Sequence, residues 1–239
     1  MLKDGILKLA GLTYQTFDSE SYENFFQSYL RGRPWWALED FGKPGLDKSH
    51  AKAVSVKASA VCTDKKKIKG GLCSVYELAF DRENLSDPRL VPAKIYVEIK
   101  EYKGGKKADV ALTLIGKPAV RLPEAYWFSF TADDILSVIA EKVGRRVDVM
   151  DVVERGNRQM HGIDRYVDMI TSEGTIRIWS EDAFLFNVGE AQGLNYSTSY
   201  PDVKGGVHFN LSNNLWGTNF KMWSEGSITY NFTIELIEN

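Results

Sequence analysis

From about Ala51 onward the chain alternates with a period of two, and no helix-length stretch separates one alternating run from the next. Val54, Val56, Ala58 and Ala60 alternate with polar residues, and Val75, Glu77 and Ala79 alternate with Ser74, Tyr76 and Leu78. Further runs at 94–102, 108–115, 126–131, 146–154, 166–171, 175–179, 184–188, 207–211 and 227–237 read as strands. A parallel sheet needs a crossover of a dozen or more residues between strands, and none is present. The expected fold is therefore mainly β: a large antiparallel β-sandwich preceded by a short helical segment. Gly104-Gly105 and Glu173-Gly174 suit tight hairpin turns, and the basic stretch 65–71 reads as a solvated hairpin tip. One short helix is expected near Asp133, ahead of Ile135, Leu136, Val138 and Ile139.

The segment before the alternation is different. Tyr22, Phe25, Phe26, Tyr29 and Leu30 recur at helical spacing, which predicts an amphipathic helix over 19–30 with Ser19 as its cap. It stops at Arg31-Gly32-Arg33-Pro34. The following WWALEDFGKPGLDKSH is read as an aromatic loop, with Trp35 and Trp36 fastening the helix to the sandwich because two adjacent tryptophans seldom both face water. The division places 1–45 as a helical segment and aromatic loop, and 46–239 as the sandwich.

Composition excludes several functions. Lys plus Arg total 30 against 32 Asp plus Glu, a net charge of -2 that gives no broad field for a nucleic acid. Apolar runs are strand-length, far below the roughly 20 residues that span a membrane. No secretory signal is read at the start, which points to the cytoplasm. Cys62 and Cys73 are expected as two free buried thiols. The 3 histidines, His50, His161 and His208, have no metal-ligand spacing, so no metal is expected within the chain. Phosphate-loop and GxSxG patterns are missing, so a Ser-His-Asp arrangement would need a serine that no motif announces. Glu124 and Asp182 are the carboxylates to inspect for a glycosidase pair, against the alternative that each accepts backbone or tyrosine hydrogen bonds at a strand end.

Three stretches are unusually rich in special residues. They are Trp35-Trp36-Ala37-Leu38-Glu39-Asp40-Phe41-Gly42-Lys43-Pro44-Gly45, Leu122-Pro123-Glu124-Ala125-Tyr126-Trp127-Phe128-Ser129-Phe130, and the segment from Gly206 to Trp223 that contains Asn213-Asn214-Leu215-Trp216-Gly217-Thr218-Asn219-Phe220. Together they resemble the C-terminal region of an uncharacterised, DUF5054-type family of glycosidase-like proteins related to the family 38 α-mannosidases. His161-Gly162 and Asp182-Ala183 resemble that family's "HG" and "LDA" positions.

The resemblance implies a mannosidase C-terminal or galactose-mutarotase-like supersandwich that packs on an N-terminal catalytic barrel absent from this chain. That barrel would hold zinc or a similar divalent metal. The partners implied are carbohydrate and the barrel, and no catalytic residue is assigned within the chain. The candidate substrate-binding or domain-interface residues are His161, Asn213, Asn214, Trp216, Thr218, Asn219, Trp223, Glu124 and Asp182. Asparagine amides suit either sugar hydroxyls or loop bracing. Tryptophan faces suit either a pyranose ring or a domain interface. The alternatives are a stand-alone carbohydrate-binding module, and a self-sufficient hydrolase built on Glu124, Asp182 or His161.

Overall fold

The computed structural model describes residues 7–217 and 221–238. In chain order the strands are β1 (Lys8–Thr16), β2 (Val54–Lys57), β3 (Ser59–Ile68), β4 (Gly71–Ala79), β5 (Lys94–Tyr102), β6 (Lys107–Lys117), β7 (Glu124–Thr131), β8 (Ser137–Lys142), β9 (Arg145–Asp148), β10 (Met160–Gly162), β11 (Tyr166–Thr171), β12 (Gly174–Ser180), β13 (Leu185–Val188), β14 (Val207–Asn213) and β15 (Gly226–Ile237). Two helices, α1 (Ser19–Tyr29) and α2 (Trp35–Phe41), lie between β1 and β2. A six-stranded sheet runs β10-β13-β14-β7-β1-β2, and a nine-stranded sheet runs β3-β4-β5-β6-β15-β12-β11-β8-β9. Neighbours pair antiparallel, so the expected antiparallel β-sandwich is what the chain forms.

The inner faces meet in one apolar core. Phe232 of β15 packs its ring 5.5 Å from Phe128, 5.4 Å from Phe130 and 5.1 Å from Phe209, joining the two sheets. A second cluster lies on the outer face of the six-stranded sheet. There Tyr22, Phe25 and Phe26 of α1 cover Ala125 and Trp127 of β7. Gln15 fastens the adjoining loop: its Oε1 accepts from Trp127 Nε1 (2.8 Å) and Gly193 N (3.1 Å), and its Nε2 donates to Ala191 O (2.6 Å). The opposite, outer face of the nine-stranded sheet is laced with charge pairs, such as Asp168 with Arg177 (2.8 Å) and Glu98 with Lys100 (2.8 Å). Among the described residues no helix is long and apolar enough to cross a membrane.

Several sequence expectations are corrected. The part before residue 45 is not helical throughout, because β1 lies inside the six-stranded sheet between β7 and β2. Its alternation is broken by a bulge at Gly11, whose φ of 96° is a left-handed value. Asp18, not Ser19, caps α1, accepting from Ser21 N at 2.9 Å. The aromatic loop holds the short helix α2, started by Ala37 N and Leu38 N donating to Pro34 O. Ala37 is the inward residue of that helix, which leaves Trp35 71% and Trp36 53% exposed, so this pair does not fasten the helix to the sandwich. No helix follows Asp133: Ile135 and Val138 are buried while Leu136 is 65% exposed, and Ser137–Lys142 pairs as β8 with β11 and β9. The strand expected over 146–154 ends at Asp148, whose carboxylate accepts from Met150 N and turns the chain. Cys62 is exposed on β3, and only Cys73 is buried.

His161 holds the edge strand β10. Its Nε2 lies 3.0 Å from Arg158 O and its ring packs 5.5 Å from Phe186. Burial, reinforced by the Lys142 charge, depresses its pKa from 6.5 to about 4. The native chain therefore binds fewer protons than the unfolded chain between these two values. Stability rises with pH across that window, is complete above 6.5, and this one group accounts for about 3 kcal/mol of it.

Urea denaturation from pH 4 to 7 is expected to show this slope in the wild type and a clearly flatter one in His161→Leu, with a residue from His208, which burial also shifts downward. Parallel slopes would mean that the ring titrates alike in both states. Removing the ring that joins the sheets, in Phe232→Ala, is expected to cost about 3–5 kcal/mol in the same assay.

Candidate functional site

The three special stretches converge at the corner where β7 begins and β14 ends. Asn214 is the brace. Its Oδ1 accepts from Glu124 N (2.7 Å), its Nδ2 donates to Val120 O (2.9 Å) and Leu122 O (3.0 Å), and its own N–H donates to Glu124 O (3.2 Å). The buried amide thus spends its donors and acceptor on the backbone. Asn213 donates to a side chain, Asn210 Oδ1 (2.6 Å), and accepts from the backbone at Leu215 N (3.2 Å). Tyr22 of α1 donates its hydroxyl to Leu215 O. Gly217 lies against the end of α2, where a Cβ would stand 2.6 Å from Asp40 O and 2.9 Å from Glu39 O, so only glycine fits that approach.

Glu124 is engaged through its side chain as well. One carboxylate oxygen is 2.6 Å from Lys117 Nζ, and the other accepts from Tyr14 OH at 2.9 Å. Burial pushes this carboxyl upward, while the Lys117 charge and the Tyr14 hydroxyl oppose that shift. Lys117 also donates to Pro118 O and Ser224 O, both at 3.2 Å, so the ion pair holds the chain segment next to Trp223.

Two clefts flank the brace. One, about 320 Å³, is lined by Lys43, Leu46, Arg121, Asn214, Met222 and Trp223, with the Arg121 guanidinium 4.6 Å over the Trp223 ring. Sequence reading missed Arg121, which no motif marks; Lys43, inside the first special stretch but not among the candidates, has its pKa lowered by burial. The other, about 300 Å³, is lined by Tyr29, Phe41, Asn157, Asn195, Tyr196 and Trp216. Aromatic faces beside amides can hold a polar ring with apolar C–H faces.

The remaining candidates lie elsewhere. Asp182 accepts from Asn231 N (2.8 Å) and Asn231 Nδ2 (3.0 Å), which ties the loop before β13 to β15. Neither flanking cleft is lined by Glu124, Asp182 or His161, so these clefts hold no acid–base pair drawn from them. Thr218 and Asn219 fall outside the described residues. One unannounced serine does meet a histidine: Ser129 Oγ lies 2.8 Å from His208 Nδ1. Both are buried, and His208 Nε2 has no partner among the described residues, so the orienting group of a hydrolytic triad is not supplied there. No group of three or more His, Cys, Asp or Glu side chains among the described residues is placed to hold a metal ion.

Neither a protein-family profile nor a curated protein sequence matches the chain. Solved structures do. An alpha-mannosidase from Enterococcus faecalis V583 superposes with a TM-score of 0.53 at 12% identity, covering 97% of this chain and 26% of that one. A protein in glycosyl hydrolase family 38 from Enterococcus faecalis gives a TM-score of 0.51 at 12% identity, with the same coverage of 97% and 26%. A mutarotase-type chain from Salmonella typhimurium matches more loosely (TM-score 0.41, 12% identity, 75% of this chain and 65% of that one). The chain thus spans about a quarter of the length of the two Enterococcus structures, and what it shares with them is the fold.

Proposed function

We propose that this chain acts as the C-terminal accessory β-sandwich region of a family 38-like glycoside hydrolase, packing on a catalytic barrel and helping to complete its carbohydrate cleft. The observation that carries the reading is convergence. The brace from Asn214 to Glu124, and the contact of Gly217 with α2, gather three distant stretches into one corner and set Trp216 and Trp223 in the two clefts beside it. The likeness in fold to about a quarter of an alpha-mannosidase supports it. In this reading the barrel supplies the reacting carboxylates and the divalent metal, and the sandwich supplies shape and aromatic surface. Membership of the uncharacterised glycosidase-like family belongs to the same proposal.

A stand-alone carbohydrate-binding module is the second reading, and the exposure of Trp35 and Trp36 favours it. In the accessory reading those rings face the barrel.

The purified chain, assayed on aryl α-mannosides with and without zinc, is expected to show no turnover, and on immobilised glycans no binding stronger than millimolar. Glycan binding that falls tenfold or more in Trp35→Ala would move the assignment to the module. Hydrolysis that persists after chelation would sink both readings.

A further inference from the structure

We infer that the free half of the β1 edge is a docking slot for an extended polypeptide segment that alternates apolar and acidic side chains. β7 pairs with β1 along its whole length, from Lys8 to Thr16, whereas β2 pairs only with residues 13–16. Ala58 N donates to Leu12 O (2.8 Å), and the chain then leaves this sheet to enter β3 of the other. Beside residues 8–11 the edge position that β2 would occupy is therefore unfilled among the described residues. Exposure follows the pairing: Lys8 is exposed and Leu9, Ala10 and Gly11 are half-buried, while Tyr14, Gln15 and Thr16 are buried.

Beneath this edge lies an apolar floor. A cleft of about 370 Å³ opens between the sheets, lined by Leu9, Tyr76, Leu78, Val97, Ile99 and Phe128. It exists because the nine-stranded sheet overhangs its partner. β3 is exposed along nearly all its length, so nothing among the described residues covers its inner face. An unpaired edge over an apolar floor is the arrangement by which an added strand gains main-chain hydrogen bonds and pockets for alternate side chains.

Charge selects the occupant. Lys65 lines the cleft, and the exposed Lys57 reaches over Gly11, its Cε 3.4 Å from where a Cβ would be. No ion pair engages either lysine among the described residues, while Lys8 is already tied to Asp133. Lys65 and Glu101 lie inside the cleft itself, whereas Lys57 neighbours Thr13 on the outer face of β1, so with the apolar side chains turned to the floor the acidic residues of the occupant face Lys57. The slot is independent of the functional reading above. Lys8 pairs with Thr131 and Thr16 with Glu124, which puts the slot and the Asn214 brace at opposite ends of β7.

The test uses the whole chain and a fluorescein-labelled heptapeptide alternating valine with glutamate, compared with the same peptide carrying lysine for glutamate. Fluorescence anisotropy is expected to show the glutamate peptide binding at least tenfold tighter. Hydrogen exchange is expected to show protection gained by amides in residues 8–12. The variant Lys57→Glu, a change on the surface, should reverse the preference. Equal binding of the two peptides, binding of neither, or protection confined to another segment would overturn the proposal.

Discussion

β7 must be buried on both faces, and the rest of the molecule is arranged to meet that requirement. Every residue from Glu124 to Phe130 is buried. Tyr126, Phe128 and Phe130 enter the core between the sheets, while Ala125 and Trp127 point the other way, where an ordinary two-layer sandwich would expose them to water. α1 and the loop around Gly193 form a third layer over that outer face. The polar groups this layer encloses are paired: the indole N–H of Trp127 and the N–H of Gly193 share Gln15 Oε1. A strand interior to the sheet and apolar on both sides thus accounts for the helix that precedes the sandwich.

The same constraint shapes the corner at the start of β7. Glu124 enters the protein with Lys117, both side chains at most 5% exposed, and such a pair is tolerated only when the remaining donors and acceptors find partners. They do, through Tyr14 OH, Pro118 O and Ser224 O. A carboxylate so occupied has no freedom to exchange a proton with a substrate. The aromatic surface of the corner lies beside the ion pair, on the rings of Trp216 and Trp223, with the Arg121 guanidinium stacked over the latter. The Asn-rich signature is therefore scaffolding for aromatic surface.

Much of this was legible in the sequence where a single period governed a segment. Strands of the nine-stranded sheet, such as β5 and β6, alternate cleanly because one face meets the core and the other meets water. Reading failed where local pattern and tertiary demand diverge. β1 hides its period behind the bulge at Gly11. The apolar cluster after Asp133 imitates a helix because Leu136, an exposed leucine, fills in a position that strand alternation would leave polar. Trp35 and Trp36 follow the rule that adjacent tryptophans bury only if a surface is available to them, and α2 gives its inward position to Ala37. The three special stretches were visible as motifs, but their meeting at Asn214 depends on contacts about 90 residues apart in sequence, which no local pattern encodes.

The two ends of β7 differ in a way that follows from chain economy. At the Glu124 end, β1 is flanked on its other side by β2, and the outer layer closes over the pair. At the Thr131 end β2 has already ended and the chain has crossed to β3 of the other sheet, because a strand of four residues cannot pair along a neighbour of nine. Among the described residues the crossing leaves the edge of β1 at residues 8–11 without a strand beside it, above Tyr76 and Val97, and the inner face of β3 without a cover. Solvated edges in monomeric sheets are usually blunted by lysines, and β3 carries Lys65, Lys66 and Lys67 along its own length. The β1 edge has no such run: Leu9, Ala10 and Gly11 follow one lysine that is drawn aside to Asp133. An edge without such a run, over an apolar floor, is the kind of edge at which an added strand gains both main-chain hydrogen bonds and pockets for its side chains.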